Sequence, residues 1–499
     1  MKKTLLSIIL FGFLTASCDS YLDINEDPNS PAESNMTADI LLPAAEINLA
    51  TSYGDYLRIV GGYFSQHYAQ QFGTSNYLDY SRFEQSPTRS SGTYTQLNAR
   101  VLKTLKTIAD LSEEKEDWGA YLAAKTLKAF TYQVLVDCYG EVPYSEAFDV
   151  SNVAPKYEDG KDIYAAVLAE LDDALSKVSP SDKIPSNFLY GNSAAQWIQF
   201  ANAVKLKMLM RENTVVDVKS QLAALVAEDN FPTSDVAYAG IWKNEQGQAN
   251  PFFSEEFSEW KSQENLIANL AIVGTMLQTD ADGTVIYSDP RLPKFFEANA
   301  SGEYKGGISG SNFSTSNSYK AAYWCRPVCN YDDPVVLLPL SEIEFFLSEY
   351  HARYGNAAEA KAHYEAAIAA SFDAAGVEGA EDYIAQFPYD QQNFAKCIGV
   401  AKWVALSGVD NFEAWCELRR LDYPAFGTVK GSQLYNGESD ASYKPELYQP
   451  GTLYTPLYVY NQVGDGKVLE RFPYAESSSS RNGKTPAFPG YTTPVFWGK

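Results

Sequence analysis

The sequence predicts a mainly α-helical protein, in which a scaffold with tetratricopeptide-like helix pairs carries a long irregular, loop-rich part. The first observation is the helical spacing of apolar residues over 118–138 and 161–178. The segment 118–138 is apolar on two sides, which indicates a helix packed between neighbours. The second observation is that 231–335 and 422–499 are rich in Gly, Ser, Asn, Pro and aromatic residues. Their Trp and Tyr content argues against disorder, so these stretches are predicted to be ordered loops.

Capping signals mark the start of further helices. Ser193 and Gln196 form a capping box at the start of one helix, and Ser341 and Glu344 form another. In each case the serine is predicted to be the N-cap. The second of these helices is predicted to end at Gly355, because glycine favours helix C-termini.

The helix that ends at Gly355 is predicted to pair with the next helix along the chain. This partner runs from Ala357 to about Ser371 and carries small and large apolar residues on one face. Two helices joined by a tight turn with such interlocking faces are typical of a tetratricopeptide hairpin. The segments 394–407 and 411–420 are predicted to form another helical pair.

Composition and charge argue against two kinds of binding partner and favour one kind of surface. The chain has 499 residues, with 39 Lys and Arg against 63 Asp and Glu, and a formal net charge of −24. Nucleic acid and anionic lipid are therefore disfavoured as partners, because both are bound through clustered cations. Aromatic residues make up 14% of the chain, and Tyr outnumbers Phe. Tyrosine suits surfaces that are both apolar and hydrogen-bonding, so a wet binding surface is favoured.

The N-terminus predicts export and lipidation. Residues 1–17 are predicted to be a signal peptide, since Lys2 and Lys3 precede an apolar run that is too short to span a bilayer. Small residues then precede Cys18, which is the predicted lipid anchor. The alternative is a secreted protein with a chance cysteine. The chain is predicted to divide into this signal peptide, a lipidated tether at 18–35 and a single domain at 36–499, and no later segment predicts a transmembrane helix.

The five cysteines after Cys18 leave their pairing open, because an odd number means that at least one is free or pairs between chains. Cys325 and Cys329 are close enough in sequence to bridge in an oxidising compartment, or they could be small buried apolar residues like the others. No paired C-x₂-C spacing supports zinc, so neither a metal site nor a cofactor is predicted.

Several segments together resemble the SusD/RagB-like family of nutrient-binding outer-membrane lipoproteins, and most closely its divergent SusD-like subgroup. The most specific are GEVPYSEAF and EAWCELRRLDYP, within LVDCYGEVPYSEAF (135–148) and WVALSGVDNFEAWCELRRLDYP (403–424). The others are DPRLPKFF (289–296), LLPLSEIEFFLSEYHARYG (337–355) and RFPYAESSSSRN (471–482). These motifs are mostly architectural. Arg419 and Arg420, for example, are expected to form partly buried ion pairs with Glu413 or Glu417.

The resemblance implies a function as well as a fold. Members of the family are held on the cell surface by their lipid and cover a SusC-like TonB-dependent β-barrel transporter. They hand over oligosaccharides, or peptides in some members, and catalyse nothing. Asp19 and Asp23, soon after the predicted lipidation site, are compatible with surface export in this family. The expected partners are therefore this transporter, an oligosaccharide or peptide ligand, and the outer membrane, without nucleic acid.

Two loops have the residue types that bind sugars, whose C–H faces stack on aromatic rings and whose hydroxyls bond polar side chains. In the family, ligand contacts come from loops in roughly these two zones. The alternative for each aromatic ring, including Trp242 and Trp260 elsewhere in the chain, is plain packing. The predicted ligand-binding residues are Asn76, Tyr77, Asp79, Tyr80 and Arg82 in the loop 72–85, and Tyr323, Trp324, Arg326 and Asn330 in the loop 319–333.

No catalytic motif is found in the sequence. G-x-S-x-G, H-E-x-x-H and P-loop patterns are absent, and the three histidines do not form a motif. Two carboxylates would suffice for a glycosidase. Asp332-Asp333 and Glu255-Glu256 lie near aromatic residues, but neighbours in sequence need not form such a pair. A non-catalytic binding lipoprotein is favoured over a surface glycan hydrolase or a purely structural lid on the transporter.

Overall fold

The computed structural model describes residues 36–71, 73–259, 265–280, 282–311, 323–436 and 442–499. Within these ranges, no helix combines the length and apolar character needed to cross a bilayer. The predicted signal peptide, the tether with Cys18, and Trp260 lie outside the described residues.

The described part of the chain is built mainly from helices joined by short strands and long loops. The helices are α1 (Ala38–Ser52), α2 (Arg58–Phe64), α3 (Leu78–Ser81), α4 (Ser91–Gln96), α5 (Lys103–Glu114), α6 (Trp118–Tyr139), α7 (Gly160–Lys177), α8 (Ala194–Glu212), α9 (Lys219–Glu228), α10 (Pro251–Phe253), α11 (Leu270–Met276), α12 (Leu292–Phe295), α13 (Leu340–Tyr354), α14 (Ala357–Ala375), α15 (Ala380–Gln386), α16 (Phe394–Ala405), α17 (Asn411–Leu421), α18 (Gly431–Leu434) and α19 (Glu476–Ser479). π-Helical turns lie at Tyr53–Leu57, Leu97–Leu102 and Ser254–Glu259, and 3₁₀ turns lie at Gln391–Asn393 and Pro445–Leu447. The strands are β1 (Tyr68–Gln70), β2 (Glu141–Pro143), β3 (Tyr157–Asp159), β4 (Val236–Tyr238), β5 (Leu266–Ala268), β6 (Leu277–Thr279), β7 (Val285–Ser288), β8 (Phe296–Glu297), β9 (Arg326–Pro327) and β10 (Val335–Leu338).

Helix α6 lies at the centre of the scaffold and is buried along most of its length. The carboxylate of Asp117 caps it by accepting from the backbone N–H of Ala120 at 3.3 Å. Gly140 ends it with a φ of +79°, in the left-handed region where glycine is favoured. Helices α5, α7 and α8 pack against α6. The two-sided apolar pattern therefore predicted both the helix and its central position.

The predicted pair of helices is confirmed as α13 and α14, which pack along each other. Asn356 caps α14 by accepting from the backbone N–H groups of Ala358 and Glu359. Ser341, however, is not the N-cap of α13, because the helix begins at Leu340 and Pro339 precedes it. The carboxylate of Asp235, from the connection before β4, accepts the Leu340 N–H at 2.8 Å instead. By contrast, the N-cap predicted at Ser193 is confirmed.

A buried ionic network joins α8, α13, α16 and α17. In its interior, the Lys402 ammonium lies 2.8 Å from the Glu417 carboxylate, and both groups are buried. Because a buried charge without a partner is costly, the pairs of the network together fix the four helices relative to one another. The buried members on these helices are Lys207, Arg211, Glu342, Glu349, Lys402, Glu413, Glu417 and Arg420, and Arg211 also lies 3.4 Å from the buried carboxylate of Asp137 in α6.

Of the ion pairs expected for Arg419 and Arg420, only that of Arg420 is confirmed. Arg420 pairs with Glu417 and also with Glu349, in a fully buried position rather than a partly buried one. Arg419 donates instead to backbone carbonyl groups, among them that of Asp137 at 3.1 Å and that of Glu470 at 2.6 Å. These two carbonyl groups belong to α6 and to the loop-rich part, and Arg419 also donates to the Trp415 carbonyl and the Cys416 sulfur of its own helix.

Short strands and backbone contacts tie the loop-rich part to the helices. The strands form antiparallel pairs, namely β1–β5, β4–β10, β2–β3, β6–β7 and β8–β9. The C-terminal stretch folds back onto α6, where the Phe472 N–H donates to the Cys138 carbonyl at 2.7 Å. The indole N–H of Trp497 donates to the Asp137 carboxylate, also at 2.7 Å. These contacts confirm that the aromatic-rich stretch 442–499 is ordered.

The cysteines of the described ranges are free, so the bridge considered between Cys325 and Cys329 is not formed. The Cys325 sulfur instead accepts from the backbone N–H of Lys305 at 2.9 Å. Cys329 is half-buried and faces the guanidinium of Arg58. Both thiols therefore have local surroundings of their own, and the loop that contains them is held by packing and backbone contacts.

Candidate ligand-binding site

The structure connects the two predicted ligand loops through one strand pair. Strand β1 leads into the loop 71–85 and pairs with β5. The N–H of Ala268 in β5 donates to the Cys325 carbonyl at 2.8 Å, so the second loop is held against the same strand. Both loops also reach the π-helical turn Ser254–Glu259. The Tyr77 hydroxyl lies 3.2 Å from the Glu255 carboxylate, and the Arg326 guanidinium lies 5.5 Å from the Phe257 ring centroid.

Two of the predicted rings in the first loop are buried. Tyr77 is 5% exposed and Tyr80 is 2% exposed. Their rings stack on each other with centroids 5.8 Å apart, and Tyr63 of α2 contacts both. In this conformation the protein covers their faces, so they support the loop.

Polar residues of the same loop form a cluster around Arg89, a residue that sequence reasoning did not single out. The Arg89 guanidinium bonds the Asp79 carboxylate at 3.0 Å and donates to the backbone carbonyl of Asn76 at 2.6 Å. It also lies 5.1 Å above the Tyr80 ring. Arg89 is exposed, whereas Asn76 and Asp79 are half-buried. The cluster presents charged and polar groups at the surface above the buried rings.

The most accessible ring beside the predicted residues is Tyr458, which is 61% exposed. The Arg82 guanidinium lies 5.5 Å from the centroid of this ring. The backbone carbonyl of Arg82 also accepts from the Tyr460 N–H at 2.7 Å. Tyr458 has a φ of +58°, an uncommon conformation for a non-glycine residue that requires surrounding contacts to maintain it. The structure therefore brings Arg82 next to an exposed aromatic ring from the C-terminal stretch.

Sequence analysis did not identify Tyr458, because its position depends on a contact between two backbone segments that are far apart in the chain. The N–H of Leu457 donates to the Ser309 carbonyl at 2.8 Å. At Gly310 a Cβ atom would overlap the Leu457 carbonyl, so only glycine permits this close approach. The N–H of Gly310 in turn donates to the Ser81 hydroxyl at 2.7 Å. The only sequence signal was the aromatic richness of 422–499.

The second loop separates its predicted residues between interior and surface. Trp324 is 1% exposed, and its ring packs against Tyr323 at 4.7 Å and against Tyr443 at 5.4 Å. Tyr323 and Arg326 are half-buried. Asn330 is exposed, and its backbone N–H and side-chain amide both donate to the carboxylate of Asp333. Trp242, which sequence analysis also considered as a ligand contact, is buried as well.

Two carboxyl groups beside Tyr77 of the first loop, those of Asp55 and Glu256, bind protons more tightly than usual. Burial, followed by the charge of Glu255, raises the pKa of Asp55 to about 8. Burial also raises the pKa of Glu256 to about 7, although the backbone N–H groups of Leu266 and Asn265 donate to its carboxylate. Near neutral pH these groups are at least partly protonated and can donate as well as accept hydrogen bonds.

The histidines have structural surroundings. His67 is buried, where its Nε2 contacts the Trp403 carbonyl and the amide of Asn411 donates to its Nδ1. Burial lowers the pKa of His67 to about 3, so the ring is neutral. The rings of His351 and His363 stack on each other on α13 and α14. Within the described ranges, no group of three or more His, Cys, Asp or Glu side chains is arranged to hold a metal ion.

Comparison with known proteins identifies the fold and the family. The family model for SusD-like proteins, described as "Starch-binding associating with outer membrane", matches residues 28–441. A SusD homolog from Bacteroides uniformis has a TM-score of 0.73 and 20% identity, with 92% of this chain and 100% of that chain covered. A chitin-binding SusD homolog from Flavobacterium johnsoniae has a TM-score of 0.68 and 19% identity, with 91% and 98% covered. At these identities the structural likeness shows the fold alone. No curated protein matches this chain.

Proposed function

The chain belongs to the SusD-like family of proteins that bind starch and associate with the outer membrane, and we propose that it is a cell-surface lipoprotein that captures oligosaccharides. It then delivers them unaltered to a SusC-like TonB-dependent transporter. In this proposal Cys18 carries the lipid, residues 18–35 form the tether, and residues 36–499 form one binding domain. Capture of oligopeptides is the alternative within the same family.

The observation that carries the proposal is the exposed ring of Tyr458 beside the guanidinium of Arg82. A flat ring accepts the C–H face of a sugar, and a guanidinium donates hydrogen bonds to the hydroxyls at the sugar's edge. Asp79, on the same loop as Arg82, and Arg89, which pairs with it from just beyond the loop, add polar groups nearby. The ring is fixed before binding by the contact of Leu457 with the 309–310 segment, which lowers the entropic cost of ordering it.

The test is a titration of the protein with a panel of oligosaccharides in a calorimeter. Because chitin-binding proteins are among the similar structures, chitooligosaccharides belong in the panel beside starch-type oligosaccharides. We expect Tyr458→Ala to weaken binding of the best ligand at least tenfold, which corresponds to about 1.4 kcal/mol. Phe188→Ala is the matched control, because this ring is also exposed, at 37%, but lies outside the two loops and the C-terminal stretch. Equal affinities for Tyr458→Ala and wild type would contradict the placement of the sugar.

Delivery to a transporter needs a separate experiment. Affinity purification from native outer membranes should recover a TonB-dependent β-barrel protein together with this chain. If the barrel is recovered but neither oligosaccharides nor oligopeptides bind the purified chain, the structural-lid hypothesis is favoured instead. Binding of peptides without binding of oligosaccharides would favour the peptide-capturing alternative.

A further inference from the structure

A pocket of about 630 Å³ lies where α14, α15 and α16 meet the β6–β7 hairpin and the turn 450–452. Its volume is within the range of sites that bind small molecules. None of the residues predicted to bind ligand lines it, and Tyr458 and Arg82 do not line it either. It is therefore separate from the surface formed by the two loops and the C-terminal stretch.

Aromatic rings and aliphatic side chains form the inner part of this pocket. The Phe387 ring lies 5.1 Å from Tyr287 at 87° and 4.9 Å from Tyr383 at 50°. Val404 and Ala401 of α16 add aliphatic surface beside them. Such edge-to-face and tilted rings offer both ring edges and ring faces, which is the arrangement that a further aromatic ring prefers.

A buried ion pair supports the rings, and its carboxylate residue, Asp289, also lines the pocket. The Arg291 guanidinium lies 4.8 Å from the Tyr383 ring centroid and bonds the Asp289 carboxylate at 2.7 Å and 3.0 Å. The Tyr364 hydroxyl donates to the Phe387 carbonyl at 2.9 Å, which fixes the segment that carries the central ring. A pocket whose walls are already ordered loses little entropy when it binds a ligand.

The rim of the pocket is polar, in contrast to its inner part. Gln386, Asn393 and Lys396 are exposed there, and the Asn393 amide donates to the Asp390 carboxylate at 2.6 Å. A sugar ring buried deeply would set its hydroxyls against aliphatic surface. A molecule with a flat apolar end and a polar end would match both parts of the pocket.

We propose that this pocket binds small molecules that place an aromatic ring against the packed rings of Tyr383, Phe387 and Tyr287 and leave a polar group at the rim. The ring could belong to an aryl-substituted saccharide or to an aromatic residue of a peptide. The inference does not depend on sugar binding at Tyr458, because the two sites share no residue.

Cys397 lines the pocket and provides a direct readout of whether it is occupied. Its thiol is free and half-buried, so a bound ring should shield it from alkylation by iodoacetamide. Burial raises the pKa of this thiol, so the reaction is run at alkaline pH. N-acetylcysteine added to the sample is the reference thiol, because it reports any direct effect of a probe on the reagent. Mass spectrometry follows its alkylation and, after digestion of the protein, that of Cys397 separately.

The probes are two matched pairs, used at millimolar concentration with the full mature chain. Phenyl β-D-glucopyranoside is compared with methyl β-D-glucopyranoside, and N-acetyl-phenylalaninamide with N-acetyl-alaninamide. We expect at least one phenyl compound to slow alkylation of Cys397 threefold or more, while N-acetylcysteine is unaffected and the compounds without a ring have no effect. Protection by the glucoside alone would identify the saccharide source, and protection by the amide alone the peptide source.

A pocket-filling variant tests the location of the ring. Val400→Trp places an indole in the space in front of Gly451, where the Val400 side chain now lies. We expect slower alkylation of Cys397 in this variant without any probe and no further slowing when the probe is added. The proposal is overturned if neither phenyl compound protects Cys397 in the wild type, if the compounds without a ring protect it equally, or if alkylation of N-acetylcysteine slows to the same degree.

Discussion

Glu46 is a single residue whose surroundings make stability depend on pH. It lies on α1 in a buried position, and its carboxylate accepts from the Phe188 N–H at 2.7 Å. Burial raises its pKa from 4.5 to about 8, against the effect of this hydrogen bond. The folded state therefore holds the proton more tightly than the unfolded state does. This contribution to stability is complete below about pH 4.5 and is lost as the pH rises through about 8.

Glu46→Gln should remove this pH dependence, because the amide still accepts from the Phe188 N–H but does not ionise. We expect the free energy of unfolding of the variant to exceed that of wild type by about 2 kcal/mol or more at pH 9, and the difference to shrink toward pH 4.5. Urea unfolding at several pH values measures it. Glu170→Gln is the control of opposite sign, because the effect of burial on Glu170 is outweighed by Lys128 and Lys125, which lower its pKa to about 2. A constant difference between Glu46→Gln and wild type across this range would contradict the account.

At the residue scale, the sequence identified the kinds of side chain that bind sugars but not which of them are exposed. Tyr77, Tyr80 and Trp324 lie in loops that also contain polar residues such as Asn76, Asp79 and Arg326, which is why exposed rings were expected. They are buried because rings from other segments contact them. Tyr63 of α2 contacts Tyr77 and Tyr80, and Tyr443 of the C-terminal stretch contacts Trp324. Period and composition carry no information about contacts of this kind.

The candidate site is held in place by the contact between the 309–310 segment and the C-terminal stretch. Gly310 has a φ of +79°, and a Cβ there would overlap the Leu457 carbonyl. Since the Leu457 N–H donates to the Ser309 carbonyl, the neighbouring Tyr458 is positioned by the same contact. A substitution at Gly310 should therefore change the position of the exposed Tyr458 ring without changing its chemistry.

Gly310→Ala should both destabilise the protein and weaken sugar binding. Gly302→Ala is the matched control, because Gly302 has a similar φ of +76° and a Cβ there would have no neighbouring atom within 4 Å. The control should lose about 1 kcal/mol of unfolding free energy from the left-handed backbone alone. Gly310→Ala should lose at least about 1 kcal/mol more, because the backbone must also move. Calorimetric titration should show weaker binding for Gly310→Ala only, and equal behaviour of the two variants would contradict the proposed role of the contact.

At the scale of elements, prediction succeeded where the signal is local. The helix over 118–138 is present as Trp118–Tyr139, because its apolar residues repeat with the helical period and Gly140 ends it. The start of α13 was misplaced at Ser341, because the group that satisfies its first turn is Asp235, about a hundred residues earlier in the chain. Local capping rules do not account for an acceptor supplied by another segment.

For the whole molecule, the proposal joins the described domain to the lipid at Cys18, which lies outside the described residues. Cys18→Ala should release the protein from outer membranes after an alkaline wash that removes proteins held only by other proteins. Cys397→Ala is the control, because it removes another thiol of the chain and should leave the protein in the membrane fraction. Retention of the Cys18→Ala variant in washed membranes would show that the anchor has been assigned to the wrong residue.

The plan of the molecule was predictable in outline. The helical scaffold with its tetratricopeptide-like pair and the ordered aromatic-rich stretch 442–499 are present in the structure, and the family model agrees with the resemblance. Of the buried network that includes Glu349, only the pair of Arg420 with Glu417 was predicted, because the other pairs join helices that are far apart in the chain. The exposed position of Tyr458 depends on a similarly distant contact, so the candidate site could be predicted only by residue type and approximate location.

The central claim is that the protein captures oligosaccharides and leaves them intact. The most direct measurement is calorimetric titration of the mature chain with the oligosaccharide panel, followed by chromatography of the ligand recovered from the same sample. The account predicts saturable binding of at least one oligosaccharide and recovery of that ligand at its original length. Absence of binding to every oligosaccharide, or shortened products that no longer form in Glu255→Gln or Glu256→Gln, would contradict it.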